Sequence, residues 1–192
     1  MNRVAIDIDE VLMPFVKPMA DWRGHRMPRR RGYSYVYRDM FSISEYESQK
    51  MVREFYESRA FQMIEPLEGA QEAVACIRRN ADKMYAVTGR QQPVREKTED
   101  WLALHFPGVF DDLVLTNSFT EHEVAKVDVC RGLNLDTIID DSELNCLSCA
   151  YGGVSTIHFA GATGELYPWC DCTEMSVLGW EETLERLSLD SR

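Results

Sequence analysis

The chain has 192 residues, of which 45% are hydrophobic and 28% charged. That length suits one domain with a sizeable core and room for a small insertion. The composition excludes collagen-like, mucin-like and largely disordered chains. Net charge is −11, from 32 acids against 21 bases. A non-specific nucleic-acid binder carries the opposite balance, so a nucleic-acid polymer is not an expected partner. No apolar run approaches the roughly 18 residues of a membrane span, so no membrane partner is expected either. The start has one base, Arg3, and meets an acid at Asp7, which does not fit a signal peptide. The six cysteines are therefore read as reduced thiols and the protein as cytoplasmic.

Short apolar runs alternate with amphipathic stretches along the chain. Arg3–Ile8 is the first expected strand. Residues 69–80 place Ala70, Ala73, Val74 and Ile77 at helical spacing, and Lys83–Val87 is a second strand. Pro93 opens a helix towards His105, closed by Pro107 and Gly108. Leu113–Leu115 is a third strand, followed by a short helix over 124–132 that ends on Gly132. Thr137–Ile139 is a fourth strand, residues 143–151 a helix, and Val154–Phe159 a fifth strand. The acidic end carries a last helix over 180–187. Strands alternating with helices imply an α/β fold with a parallel sheet covered on both faces.

One segment breaks the alternation. Between Pro14 and Pro66 no buried-strand pattern occurs. This stretch holds the basic cluster Arg23–Arg31, the aromatics Tyr33, Tyr35 and Tyr37, and a capping box, Ser44 to Glu47, before a helix with Met51, Val52, Phe55 and Tyr56 on one face. We read residues 15–66 as a small helical insertion after the first strand, with 1–14 and 67–192 forming the α/β core.

The chemistry-bearing residues fall where strands stop. The first strand ends in Asp7-Ile8-Asp9-Glu10, the second in Thr88-Gly89-Arg90, and the fourth in Asp140-Asp141-Ser142, while Lys126 opens the helix before the fourth strand. Ligands of open parallel sheets bind outside these carboxyl ends. Clustered carboxylates repel unless a cation joins them, and a few carboxylates with water and a phosphate describe a Mg²⁺ site. Thr88 and Lys126 could then hold a phosphoryl group. Asp7 and Asp9 share a face if the strand continues; a turn after Ile8 would separate their roles.

These motifs, in this order, resemble the haloacid dehalogenase superfamily: Asp7-x-Asp9 after an apolar strand, Thr88 at a strand end, the single basic Lys126, and the acidic run Ile138-Ile139-Asp140-Asp141. Pro66-Leu67-Glu68-Gly69 is similar to the return from cap to core. Within the superfamily the chain most resembles the 5′(3′)-deoxyribonucleotidase-like group. The resemblance implies a three-layer Rossmann-like core with a helical cap. It also implies a Mg²⁺-dependent phosphomonoester hydrolase acting on a small phosphorylated substrate, a (deoxy)nucleoside monophosphate. Asp7 would be the nucleophile and Asp9 the general acid and base. Asp7, the Asp9 carbonyl and Asp141 would hold the metal, with Asp140 and Asn145 behind them. Thr88, Gly89 and Lys126 would take the phosphoryl oxygens. Glu10 departs from the pattern, because many such phosphatases carry glycine there.

Other readings attach to the same residues. The substrate could be another small phosphate, such as a sugar phosphate. A non-catalytic binding protein could use the same fold. A polynucleotide-end phosphatase would use Arg23–Arg31 as a backbone groove, or the cluster could be a solvated loop. Cys146, Cys149, Cys170 and Cys172 form two close pairs that could hold zinc, although Cys146 and Cys149 suit a helix core better. His158 reads as structural.

Overall fold

Alternation along the strands decides the layers. The computed structural model describes residues 3–28 and 36–189. In β1 (Arg3–Ile6), Val4 and Ile6 join one apolar cluster while Ala5 joins another on the opposite face. The same split recurs for Ala86 against Val87 in β2 (Lys83–Thr88), and for Ile139 against Ile138 in β4 (Thr137–Asp140). Side chains two apart share a face of a strand, so a sheet with two apolar faces needs cover on both. Helices α5 (Ala70–Asn80), α6 (Arg95–His105) and α9 (Trp180–Arg186) supply buried residues to the first face. Helices α7 (Lys126–Gly132) and α8 (Glu143–Tyr151) supply Cys130 and Cys149 to the second. The result is an α/β fold of three layers.

The sheet has six strands in the order β3-β2-β1-β4-β5-β8, all parallel, with β3 at Asp112–Leu115, β5 at Ser155–Phe159 and β8 at Ser176–Val177. Ile6 pairs with Ala86 on one side and Ile139 on the other. The chain builds outwards from β1 through β2 to β3, then returns to lay β4 on the opposite edge of β1. This reversal is a topological switch point, where such sheets open a crevice. The ends of β1, β2 and β4 are therefore brought together.

Between β1 and α5 the described residues form four helices: α1 (Val16–Arg23), α2 (Tyr37–Phe41), α3 (Glu45–Tyr56) and α4 (Arg59–Gln62). The expected capping box is present on α3, with Ser44 and Glu47 bonded reciprocally. Phe15, Phe55, Tyr56 and Phe61 pack edge-to-face or tilted at centroid separations of 4.8–6.5 Å. These rings are continuous with the first-face core. Tyr37 starts α2; Tyr33, Tyr35 and residues 29–31 of the basic cluster lie outside the described residues.

Two features have no counterpart in the sequence reading. β6 (Gly161–Ala162) and β7 (Glu165–Leu166) make an antiparallel hairpin. Its two turn residues, Thr163 and Gly164, both have positive φ (51° and 80°), the pattern of a tight hairpin turn that follows strand twist. β8 then adds a sixth strand beside β5. Strands of two residues are too short to show periodicity. No helix among the described residues is long and apolar enough to cross a membrane.

Candidate active site

The site starts at the turn after β1. Asp7 N–H still donates to Ile139 O (2.9 Å), so the backbone runs beside β4 to that point. The carbonyl of Ile8 then accepts from Val11, Leu12 and Met13, and the chain folds over itself. This turn sends the two aspartates to different partners, Asp7 to Lys126 and Asp9 to Arg90. Glu10 sits in the turn at φ 62°, a conformation that favours glycine. Its buried carboxylate accepts from Phe15 N–H (2.8 Å) and Val16 N–H (2.6 Å), satisfying donors at the start of α1. Burial pushes the Glu10 carboxyl up to about 7, against the pull of those two hydrogen bonds.

Lys126, at the start of α7, reaches across to two carboxylates. Its Nζ lies 2.8 Å from Asp7 Oδ2 and 2.5 Å from Asp140 Oδ2. The other Asp140 oxygen accepts from Ser142 N–H (2.9 Å) and Asn145 Nδ2 (3.1 Å). Asp140 is thus saturated by hydrogen bonds. Among the described residues, the one hydrogen bond to the Asp141 carboxylate comes from Trp169 Nε1 (3.1 Å). Asp7, Asp140 and Asp141 are buried, and one oxygen of each lies within 4.8 Å of the others. One ammonium faces three carboxylates. Burial opposes the charge on Lys126, but Asp140 and Asp7 outweigh it and hold its pKa above the ordinary lysine value. Burial pushes Asp7 up to about 7, with Lys126 pulling down and Asp140 adding to the rise. Burial and then the charges of Asp7 and Asp140 raise Asp141 well above the usual carboxylate range. An all-oxygen donor set short of positive charge fits Mg²⁺.

Thr88 ends β2 fully buried, and its Oγ1 accepts from Arg90 N–H (3.3 Å). A Cβ on Gly89 would stand 3.0 Å from Ser118 Oγ, so a larger residue there would need the Ser118 side chain, in the loop after β3, to give way. Asp7, Lys126, Asp140 and Asp141 form one cluster. Thr88 and Gly89 stand at the neighbouring strand end, without a direct hydrogen bond to that cluster among the described residues.

Arg90 was not among the residues expected to act. Its guanidinium grips Asp9 with Nε (3.1 Å to Oδ2) and Nη2 (2.6 Å to Oδ1), and Nη1 donates to Thr98 Oγ1 (3.0 Å). It lies 5.5–5.8 Å from the ring centroids of Phe15, Tyr56 and Phe61. The Arg90 side chain is 1% exposed and Asp9 18%. The only sequence signal was its place directly after Thr88-Gly89 at a strand end. Tyr167 and Trp169, which also reach the site, lie on the loop after the hairpin and carried no signal.

Other side chains take structural places. His158 lies with Nε2 3.1 Å from Asp141 O and Nδ1 3.0 Å from Ser176 Oγ. Cys146 and Cys149 turn into the core from α8, Cys170 Sγ donates to Asp141 O, and Cys172 is exposed. The zinc alternative fails: among the described residues, the one group of potential ligands that converges is the aspartate trio. Arg23 lies 3.6 Å from Glu54 at the surface.

Compared by sequence, the chain matches no family model and no curated protein. Compared by structure, it is similar to a haloacid dehalogenase-like family hydrolase from Streptococcus pneumoniae, with a TM-score of 0.68 at 12% identity over 97% of this chain and 98% of that one. A HAD-family hydrolase from Deinococcus radiodurans, solved with bound phosphate and sodium, has a TM-score of 0.66 at 12% identity over 98% and 95% of the two chains. A predicted phosphatase from Clostridium acetobutylicum has 0.65 at 11% identity over 97% and 98%. The fold is that of haloacid dehalogenase hydrolases. At these identities the likeness concerns the fold.

Proposed function

We propose that the protein is a Mg²⁺-dependent phosphomonoester hydrolase working through an aspartyl-phosphate. The observation that carries this reading is the buried trio Asp7, Asp140 and Asp141 at the switch point of the sheet, with one lysine paired to Asp7 and Asp140. Asp7, the Asp9 carbonyl and Asp141 hold the metal, with Asp140 fixing Lys126 behind them. Bound there, Mg²⁺ supplies the positive charge the trio lacks and neutralises a phosphoryl oxygen.

Asp7 attacks phosphorus as the ester P–O bond breaks, and Asp9, with one oxygen freed from Arg90 and protonated, gives that proton to the leaving oxygen. Asp9 then takes a proton from the water that hydrolyses the aspartyl-phosphate, which frees phosphate and restores Asp7. Lys126, the Thr88 hydroxyl and the Gly89 N–H hold the phosphoryl oxygens. Arg90 fixes the direction of the Asp9 carboxylate. Residues 15–66 act as a cap over the core formed by 1–14 and 67–192. The phosphate bound to the Deinococcus structure supports phosphate as the group this fold accepts.

The substrate is a nucleoside monophosphate, a reading that rests on the resemblance of the motifs to deoxyribonucleotidases. Hydrolysis of 4-nitrophenyl phosphate with and without Mg²⁺ tests the activity. Wild type should turn over only with the metal, and Asp7→Asn should be inactive. Equal rates for wild type and Asp7→Asn would overturn the reading. A panel of nucleoside monophosphates and sugar phosphates tests the substrate, and selective turnover of a sugar phosphate would replace the nucleotide assignment.

A further inference from the structure

The segment after the β6–β7 hairpin crosses the site and ties its two acidic motifs together. Tyr167 N–H donates to Ala160 O (2.9 Å), which seats the segment at the end of β5. The Tyr167 hydroxyl donates to the carbonyl of Glu10 (2.7 Å), in the turn that carries Asp7 and Asp9. The Tyr167 and Trp169 rings stack at 5.0 Å between centroids and 11° between planes. Trp169 Nε1 donates to Asp141 Oδ2 (3.1 Å). One residue on, Cys170 Sγ donates to the backbone carbonyl of Asp141 (3.3 Å), and His158 Nε2 lies 3.1 Å from the same carbonyl.

The donors on the two neighbouring aspartates differ in charge. Asp140 is bonded to an ammonium. Asp141 is bonded through its side chain to a neutral indole N–H. A neutral donor orients a carboxylate without cancelling its charge. One Asp141 oxygen is thereby fixed, and the other keeps its full acceptor strength for a cation. Partners that orient a ligating group in this way are worth on the order of 10–100-fold in metal affinity.

We propose that Trp169, braced by its stack on Tyr167, is a positioning residue that holds Asp141 for the divalent cation. This rests on the assignment of Asp141 as a metal ligand. It adds a determinant lying 28 residues further along the chain, outside the motifs that carry the resemblance.

The test is Mg²⁺ binding to the full chain by titration calorimetry, without substrate. Trp169→Phe keeps an aromatic ring on Tyr167 and removes the N–H. It should weaken Mg²⁺ by roughly tenfold or more in a protein that stays folded in chelator at the titration temperature. Trp22→Phe, a change at the outer side of α1, should leave Mg²⁺ affinity as in wild type. In ¹⁵N-Trp-labelled wild type, Mg²⁺ should shift the indole N–H resonance of Trp169 far more than that of Trp22. That measurement serves even if Trp169→Phe does not fold. Equal affinity in wild type and a folded Trp169→Phe, or an unmoved Trp169 resonance on a protein that binds Mg²⁺, would overturn this proposal alone. Wild type that takes up no divalent cation would overturn the metal assignment and this proposal with it.

Discussion

Replacing Arg90 by lysine separates holding the fold from aiming a proton. The guanidinium makes two hydrogen bonds to Asp9 and one to Thr98, inside a cage of Phe15, Tyr56 and Phe61. Lysine keeps the charge, so no carboxylate is left unpaired, but its ammonium cannot span Asp9 in two places and reach Thr98. Two hydrogen bonds involving a charged group are lost, at about 1.5–3 kcal/mol each. The lower end gives a destabilisation of about 3 kcal/mol. For a chain of this length that lowers the melting temperature by ~6–12 °C, measurable by calorimetry. The catalytic consequence depends on the leaving group. General-acid catalysis is worth on the order of 10²–10⁴ where the leaving oxygen needs a proton. An alkyl phosphate needs that proton, and 4-nitrophenolate leaves without it. Well below either melting temperature, Arg90→Lys should cut kcat/KM, which reports the step in which the leaving group departs, by roughly 100-fold for an alkyl phosphate. For 4-nitrophenyl phosphate it should cut kcat/KM by less than roughly tenfold, because proton donation contributes little to that step. Equal losses on both substrates would refute the reasoning, since a purely structural arginine has no means of distinguishing leaving groups.

Three further outcomes follow from the same geometry. Asp7 and Glu10 both have folded-state values raised to about 7 from 3.8 and 4.5. The folded, metal-free protein therefore binds more protons than the unfolded chain, and stability falls as pH rises from about 4.5 through 7. Melting curves in chelator should show this decline. Saturating Mg²⁺ should raise the melting temperature most at the alkaline end, and a flat profile in chelator would contradict the burial argument. Glu10→Gln keeps the acceptor for Phe15 and Val16 and removes a buried charge, so it should match or exceed wild-type stability at pH 8. Glu10→Ala keeps the positive φ and loses both bonds, and should cost about 2 kcal/mol by denaturant titration. Gly161→Ala would place a Cβ 1.9 Å from Glu165 O. It should disrupt the hairpin and weaken Mg²⁺ binding measured by calorimetry, because the hairpin leads into Tyr167 and Trp169.

Local physics made much of the molecule legible. Apolar alternation and helical spacing located the five longer strands and the helices α5 to α9, with ends differing by a few residues. Where strand and helix signals alternate, a parallel sheet follows, and its carboxyl ends gather whatever acids and bases sit there. Asp7, Asp140 and Asp141 could therefore be named before their contacts were seen, whereas Lys126, at a helix start, was singled out by its place in the order of the family motifs. Chain order alone could not say that Asp7 and Asp9 part company, because a two-residue spacing suits a shared strand face as well as a turn. The turn at Ile8 decided it.

What tertiary structure alone decided are the partners brought in from a distance. Asp9 meets Arg90 across 81 positions, and the Glu10 carbonyl meets Tyr167 across 157. No periodicity encodes such pairs. They exist because the order β3-β2-β1-β4-β5-β8 places the ends of β2 and β5 within reach of the loop after β1. The acidic motifs were written in the sequence as residue types at strand ends. Which carboxylate is saturated by Lys126, which is held by an arginine, and which is left facing a neutral indole depended on the packing of segments far apart along the chain.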